Sequence, residues 1–135
     1  PSSDAQVWAA ADGDSVAAVV WDFQQPVQKV SNKPFYSRIV PNAPSTPVDL
    51  SVAGLKPGVY TLEIRRTGFR KNDAYSAYID MKAPASLTPA QLGQLQALTV
   101  DTPEVRKVTV GANGQAAVKL PMSSNDIVLV TLKPA

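Results

Sequence analysis

Residues Leu55-Lys56-Pro57-Gly58-Val59-Tyr60 constrain the fold of this chain more than any other stretch. Pro lacks the N–H that a sheet interior needs, so Pro57 marks the entry to a strand rather than its middle. Gly58 accepts a positive φ, which suits Pro-Gly at the two central positions of a type II turn. Behind it, over residues 59–65, Tyr60, Leu62 and Ile64 alternate with Thr61, Glu63 and Arg65, the period of a strand with one buried face. A Leu-x-Pro-Gly-x-Tyr run that opens a strand is the pattern of a tyrosine corner, in which the phenol bonds back to the turn. Such corners occur in immunoglobulin-like sandwiches. The segment is therefore expected to cross between two sheets.

The rest of the chain reads as scaffold of the same kind. Residues 5–11 and 15–23 flank Asp12-Gly13-Asp14, a hairpin signal between two apolar runs. Asp-x-Asp alone lacks the later acidic ligands of a calcium loop. The second run is apolar at nearly every position, which predicts a central strand covered on both faces, with Trp21 as a large buried ring. Residues 24–47 hold Pro26, Pro34, Pro41, Pro44 and Pro47 and little periodicity, hence a surface loop. Phe35 and Tyr36 either anchor that loop or meet a ligand. Residues 47–52 alternate, with Val48, Leu50 and Val52 inward. Thr88 is a good N-cap, Pro89 fits the first helical position, and Gln91 completes a capping box, with Leu87 placed to staple onto Leu92. The helix is expected to run to about Leu98, its Leu92, Leu95 and Leu98 stripe covering a sheet edge or seam. Residues 105–110 and 115–120 read as a hairpin across Gly111-Ala112-Asn113-Gly114, and residues 126–132 as a central strand. The fold class is mainly β: an antiparallel two-sheet β-sandwich, immunoglobulin- or fibronectin-like, with one short α-helix near 88–98. At 135 residues, a single domain over 1–135 is expected.

Composition removes most chemistry. The chain has no His and no Cys, so Ser-His-Asp and Cys-His nucleophile systems cannot form within it, nor can the usual Cys/His zinc or His-ligated iron and copper sites. No Gly-rich phosphate loop or dinucleotide fingerprint occurs, and no cofactor is implied. A net charge of +2 does not point to nucleic acid, and no apolar run approaches the ~20 residues of a membrane span. The opening Pro-Ser-Ser-Asp, without Met or signal pattern, reads as a processed or excised piece. No residue pattern sets the compartment, and a periplasmic or extracellular setting is favoured over a cytoplasmic one. Carboxylate pairs remain, as glycosidases use, but Glu63 and Glu104 are the two Glu and neither carries a signal of burial or pairing. Asp22 reads as a hydrogen-bond acceptor at a strand end.

Residues 66–78 differ from the scaffold. After Arg65 the alternation breaks, and Arg66, Phe69, Arg70, Asn72, Asp73, Tyr75 and Tyr78 mix cations, an amide, a carboxylate and rings. Donors beside aromatic faces suit sugar hydroxyls and C–H surfaces. The same residues suit a domain–domain interface, where Arg and Tyr are enriched. A third reading has Tyr75 and Tyr78 as core residues and the cations of 65–71 as a solvated rim.

Several blocks together resemble one family. Trp8-Ala9-Ala10, Val19-Val20-Trp21-Asp22-Phe23, Leu55 through Glu63, Gly68 through Met81 and Leu87-Thr88-Pro89-Ala90-Gln91-Leu92 look like the C-terminal β-sandwich of glycoside hydrolase family 39. The most specific part is Arg70-x-Asn72-Asp73-Ala74-Tyr75 followed by the Leu-Thr-Pro helix start. That family contains β-xylosidases and α-L-iduronidases, and the resemblance leans toward the β-xylosidases. It implies an ancillary domain whose partner is a (β/α)8 barrel carrying two catalytic Glu, one of them preceded by Asn. No Asn-Glu pair occurs here, so no catalytic residue is carried over. The resemblance places Arg66, Phe69, Arg70, Asn72, Asp73 and Tyr75 at or near the junction with the barrel. The alternative expectation is a free-standing carbohydrate-binding module that takes xylan-type oligosaccharides through the 66–78 loop.

Overall fold

A computed structural model describes residues 5–24, 39 and 41–135 of the chain. Within them the strands are β1 (Gln6–Asp12), β2 (Ser15–Trp21), β3 (Val48–Val52), β4 (Gly58–Thr67), β5 (Glu104–Val110), β6 (Ala116–Leu120) and β7 (Ile127–Pro134). The helices are α1 (Ala74–Asp80) and α2 (Pro89–Ala97). Five strands form one antiparallel sheet in the order β1-β2-β7-β4-β5, and β3 and β6 form a second, two-stranded sheet. The architecture is thus mainly β with two sheets, as expected, but with a second helix, α1, inside the stretch read as loop.

Alternation builds the core. In β4, Tyr60, Leu62 and Ile64 are buried, and β7 supplies Leu132 opposite Leu62 and Val130 opposite Ile64. Ala18 and Val20 of β2 continue this layer, facing Val130 and Val128. From the small sheet come Leu50, Ala116, Val118 and Leu120. Removing this much apolar surface from water is the main favourable term of the fold.

The tyrosine corner is present: the Tyr60 hydroxyl donates to the Lys56 carbonyl oxygen at 3.1 Å. The segment does cross from the small sheet to the large one. Pro57-Gly58 is not a type II turn, however. Gly58 opens β4 with φ +156°, far from the roughly +80° of that turn. The Gly111-Ala112-Asn113-Gly114 turn also differs from expectation, since β5 pairs with β4 and β6 with β3. It carries the chain between sheets instead of closing a hairpin. Gly114 explains why: its N–H donates back to the Gly111 carbonyl at 3.0 Å, and its carbonyl accepts from Leu55 N–H at 3.1 Å. At φ +64° a Cβ there would lie 2.8 Å from the Leu55 carbonyl oxygen, so the turn packs beneath the tyrosine corner.

The strands read as apolar on both faces are covered on one. In β2, Ala18 and Val20 are buried while Trp21 is half-buried and Ala17 exposed. β7 is central in the sheet, yet Ile127 on its other face is 53% exposed. Two strands cannot roof five, and all seven residues of β1 are exposed. The α2 start matches its expected capping box, with Thr88, Pro89 and Gln91 in the assigned roles. The helix has no buried residue, so it covers neither an edge nor a seam, and it packs beside α1. Phe35 and Tyr36 lie outside the described residues.

Removing the corner's hydrogen bond tests its place in the fold. Tyr60→Phe is expected to cost about 1 kcal/mol, read as a lower urea midpoint at unchanged slope.

Candidate functional site

The stretch expected to be a loop begins as a strand. β4 runs on to Thr67, and Arg66 keeps the inward period of Tyr60, Leu62 and Ile64. A cation on a core-facing position needs a partner. Arg66 Nη1 donates to Asp126 Oδ2 at 2.9 Å, with the two side chains 15% and 4% exposed. The Ser123 N–H donates to the same carboxylate at 3.0 Å. Gly68 lies against that carboxylate, where a Cβ would fall 2.0 Å from Asp126 Oδ1. The glycine is there for close approach.

Beyond it the chain reverses at once. Gly68 and Lys71 exchange both backbone hydrogen bonds at 3.0 Å, around Phe69 and Arg70, and Arg70 takes φ +58°. The Arg70 guanidinium lies 5.3 Å from the Phe69 ring centroid and grips Asp80 at 2.7 and 3.3 Å. Asn72, at φ +50°, donates through Nδ2 to the Arg66 carbonyl and to Asp101 Oδ1, both at 2.9 Å. Arg65 donates to the Asp101 carbonyl oxygen, so Asp101 braces strand end and loop together. Asp73 is the N-cap of α1: its Oδ1 accepts from Ser76 N–H at 3.0 Å, and its Oδ2 from Arg70 N–H at 3.0 Å and from the Ser76 hydroxyl. Tyr78 donates to the Pro84 carbonyl at 3.2 Å.

A shallow cleft of about 320 Å³ opens beside this turn. One wall holds Phe69, Asn72, Asp73 and Tyr75, and the other Ile39, Asn42 and Asn125. The second wall is fastened to the segment before β7. Ser45 N–H donates to the Met122 carbonyl at 3.0 Å, Ser124 N–H to Ala43 at 2.8 Å, and Ala43 N–H to Ser124 Oγ at 3.0 Å. Asp22 is fully buried, accepts from Gln24 Nε2 at 3.1 Å on both oxygens, and also accepts from the Ser45 hydroxyl. Its reading as a strand-end acceptor holds.

The structure thus gathers the seven candidates into one region but commits most of their polar groups internally. Arg66, Arg70, Asn72, Asp73 and Tyr78 hold the turn and α1 together, while Phe69 and Tyr75 line the cleft beside Asn72 and Asp73. Sequence reasoning missed Asp126 as the partner of Arg66 and Asp101 as that of Asn72. The available signal was parity: Arg66 falls on the same face as Ile64, and an inward cation implies a buried carboxylate. The two Glu form no pair. Glu104 stands opposite Ile64 and Glu63 opposite Val105, which puts them on opposite faces of the sheet. Among the described residues no cluster of three metal-ligating side chains occurs, and no helix is long and apolar enough to cross a membrane.

Burial raises the Asp73 carboxyl, but hydrogen bonds from Ser76, Arg70 and Tyr75 outweigh it, and the group sits below the ordinary 3.8. The Arg70 hydrogen bond likewise lowers Asp80. A carboxyl depressed in the folded state contributes stability that is present above its unfolded value and lost as pH falls through the folded one. Protection of the Ser76 amide from exchange is therefore expected to hold at about pH 5 and to decline below about pH 4. In Asp73→Asn that decline is expected to flatten. Asp126→Ala, which strands a buried guanidinium, is expected to cost about 3 kcal/mol or more in denaturant unfolding. The joint change Arg66→Met with Asp126→Leu is expected to restore most of that loss.

No family model and no curated protein matches the chain. Solved structures do. The GH39 enzyme of Xanthomonas axonopodis pv. citri superposes with a TM-score of 0.90 at 50% identity, over 96% of this chain and 26% of that one. A monomeric β-xylosidase from Caulobacter crescentus CB15 gives 0.89 at 51%, with the same coverage. The bacterial orthologue of human α-L-iduronidase shares the fold at 0.65 and 18% identity, over 90% of this chain and 20% of that one. This chain spans about a quarter of the length of the enzymes it matches at half identity. It is a partial domain of the glycoside hydrolase family 39 enzymes.

Proposed function

We propose that this chain is a single ancillary, non-catalytic β-sandwich domain of a β-xylosidase-like glycoside hydrolase, built to support a (β/α)8 catalytic barrel. The observation that carries the reading is the lopsided match, nearly the whole of this chain against a quarter of each enzyme. Two features support it. Glu63 and Glu104 lie on opposite faces of the sheet, where they cannot flank one glycosidic bond. The polar groups of the 66–78 stretch are largely spent on its own shape, as in a preformed contact surface. In this reading Arg66, Asn72, Asp73 and Tyr78 set the surface, and Phe69, Arg70 and Tyr75 meet the barrel or the edge of its active site.

The cleft between Phe69, Tyr75 and Asn42 supports a second reading, a carbohydrate-binding module for xylo-oligosaccharides. The first reading predicts no product from aryl xylosides with the purified chain. Turnover that vanishes in Glu63→Gln or Glu104→Gln would overturn it. Calorimetry against xylo-oligosaccharides separates the second: heat that weakens in Tyr75→Ala or Phe69→Ala favours it, and no heat at millimolar sugar removes it.

A further inference from the structure

The outer face of the large sheet changes character along its strands. The buried residues Ala18, Val20, Val128 and Val130 define the inner face; their sequence neighbours point the other way. Two adjacent cross-strand rows on that outer face are apolar at their centre, flanked by Gln6 and Thr67 in one and by Arg65 in the other. Trp21 stands opposite Ile127, and Trp8 opposite Val19, which stands opposite Leu129. Trp8 is 66% and Ile127 53% exposed, and Phe23, just beyond β2 at the same end, is 70% exposed. Val19, Trp21 and Leu129 are half-buried. Two rows further along, the same face carries Asp12, Ser15, Thr61, Lys107 and Lys133. The large apolar side chains of the β1-β2-β7 part of that face gather at one end, while isolated Val59 and Val105 are exposed elsewhere on it.

That end is where β4 finishes at Thr67, which stands opposite Ile127, and where the Gly68–Lys71 turn begins. The patch is therefore continuous with the 66–78 surface. Contiguous apolar surface of this kind marks an interaction site, and two Trp are the residue type most enriched among binding hot spots. About three quarters of each matched enzyme lies outside the segment this chain corresponds to, so a large partner of the same polypeptide is at hand. We propose that the apolar end of the β1-β2-β7 outer face is a second docking surface for the catalytic barrel, meeting an apolar patch on the barrel's flank. It rests on the ancillary-domain reading and adds to it a specific face: the barrel lies along the sheet as well as against the turn. The charged end of that face stays in water.

The test mixes the full chain with a separately produced GH39 β-xylosidase barrel and measures association by calorimetry. Trp8→Lys and Ile127→Lys are expected to weaken association by roughly tenfold or more, as hot-spot truncations do. Lys133→Glu, on the charged end of the face, is expected to leave it unchanged. Circular dichroism must first show each variant folded; should Ile127→Lys unfold, the edge-strand Trp8→Lys carries the comparison. Association that survives Trp8→Lys but falls in Phe69→Ala would overturn this surface and leave the ancillary reading standing. No association of the unaltered chain would sink that reading as well. Self-association in sedimentation that Trp8→Lys abolishes would assign the patch to a second copy, against the proposal.

Discussion

A guanidinium and a carboxylate held out of water, Arg66 on Asp126, decide how the end of the fold that carries residues 66–78 is put together. Burying either charge alone would cost several kcal/mol, so the two must arrive together. Arg66 comes at the end of a strand and Asp126 from the loop before β7. Their contact therefore fixes where β4 stops being sheet and where the Gly68 turn begins, since the turn's first residue rests on the same carboxylate. An apolar pair would fill the space as well. It would not dictate the direction in which the chain leaves the sheet.

Residues 122–126 serve both sides of the cleft. Asp126 holds the turn and α1 side, while Met122, Ser124 and the neighbouring Asp22 hold the 43–45 segment. Two walls that are distant in sequence share one support, so their separation is set by the Arg66–Asp126 ion pair and a few hydrogen bonds to residues 122–126 and Asp22. Such a site is rigid without being enclosed, which suits a surface that meets another body.

Much of this was legible in the residues. The tyrosine corner, the Thr88-Pro89-Gln91 capping box and the alternation of Val48, Leu50 and Val52 are local, and local chemistry decides them. Most of the misreadings involve partners remote in sequence. Arg66 looked like the first residue of a loop because its carboxylate lies sixty positions away. Gly111–Gly114 looked like a hairpin because the turn chemistry is the same whether the next strand pairs with the last one or with β3. Helix α1 is short and opens on an Asp cap in the middle of a polar run, a signal too brief to outweigh its surroundings. The cover of β2 and β7 was overread for the same reason: an apolar strand states what it tolerates, and the number of strands opposite decides what it receives.

The two borders of the large sheet are defended unequally. β5 presents Glu104, Arg106 and Lys107, charges that discourage another chain from adding a strand. β1 at the opposite border runs Gln6-Val7-Trp8-Ala9-Ala10-Ala11 without a charge until Asp12, every residue in water. Colloidal behaviour of the chain on its own is thereby polarised: of the two borders of the large sheet, β1 is the one open to strand addition. Handling it apart from a larger molecule becomes a matter of guarding six residues, and an Ala9→Lys or Ala11→Pro change there would do for β1 what β5 already has.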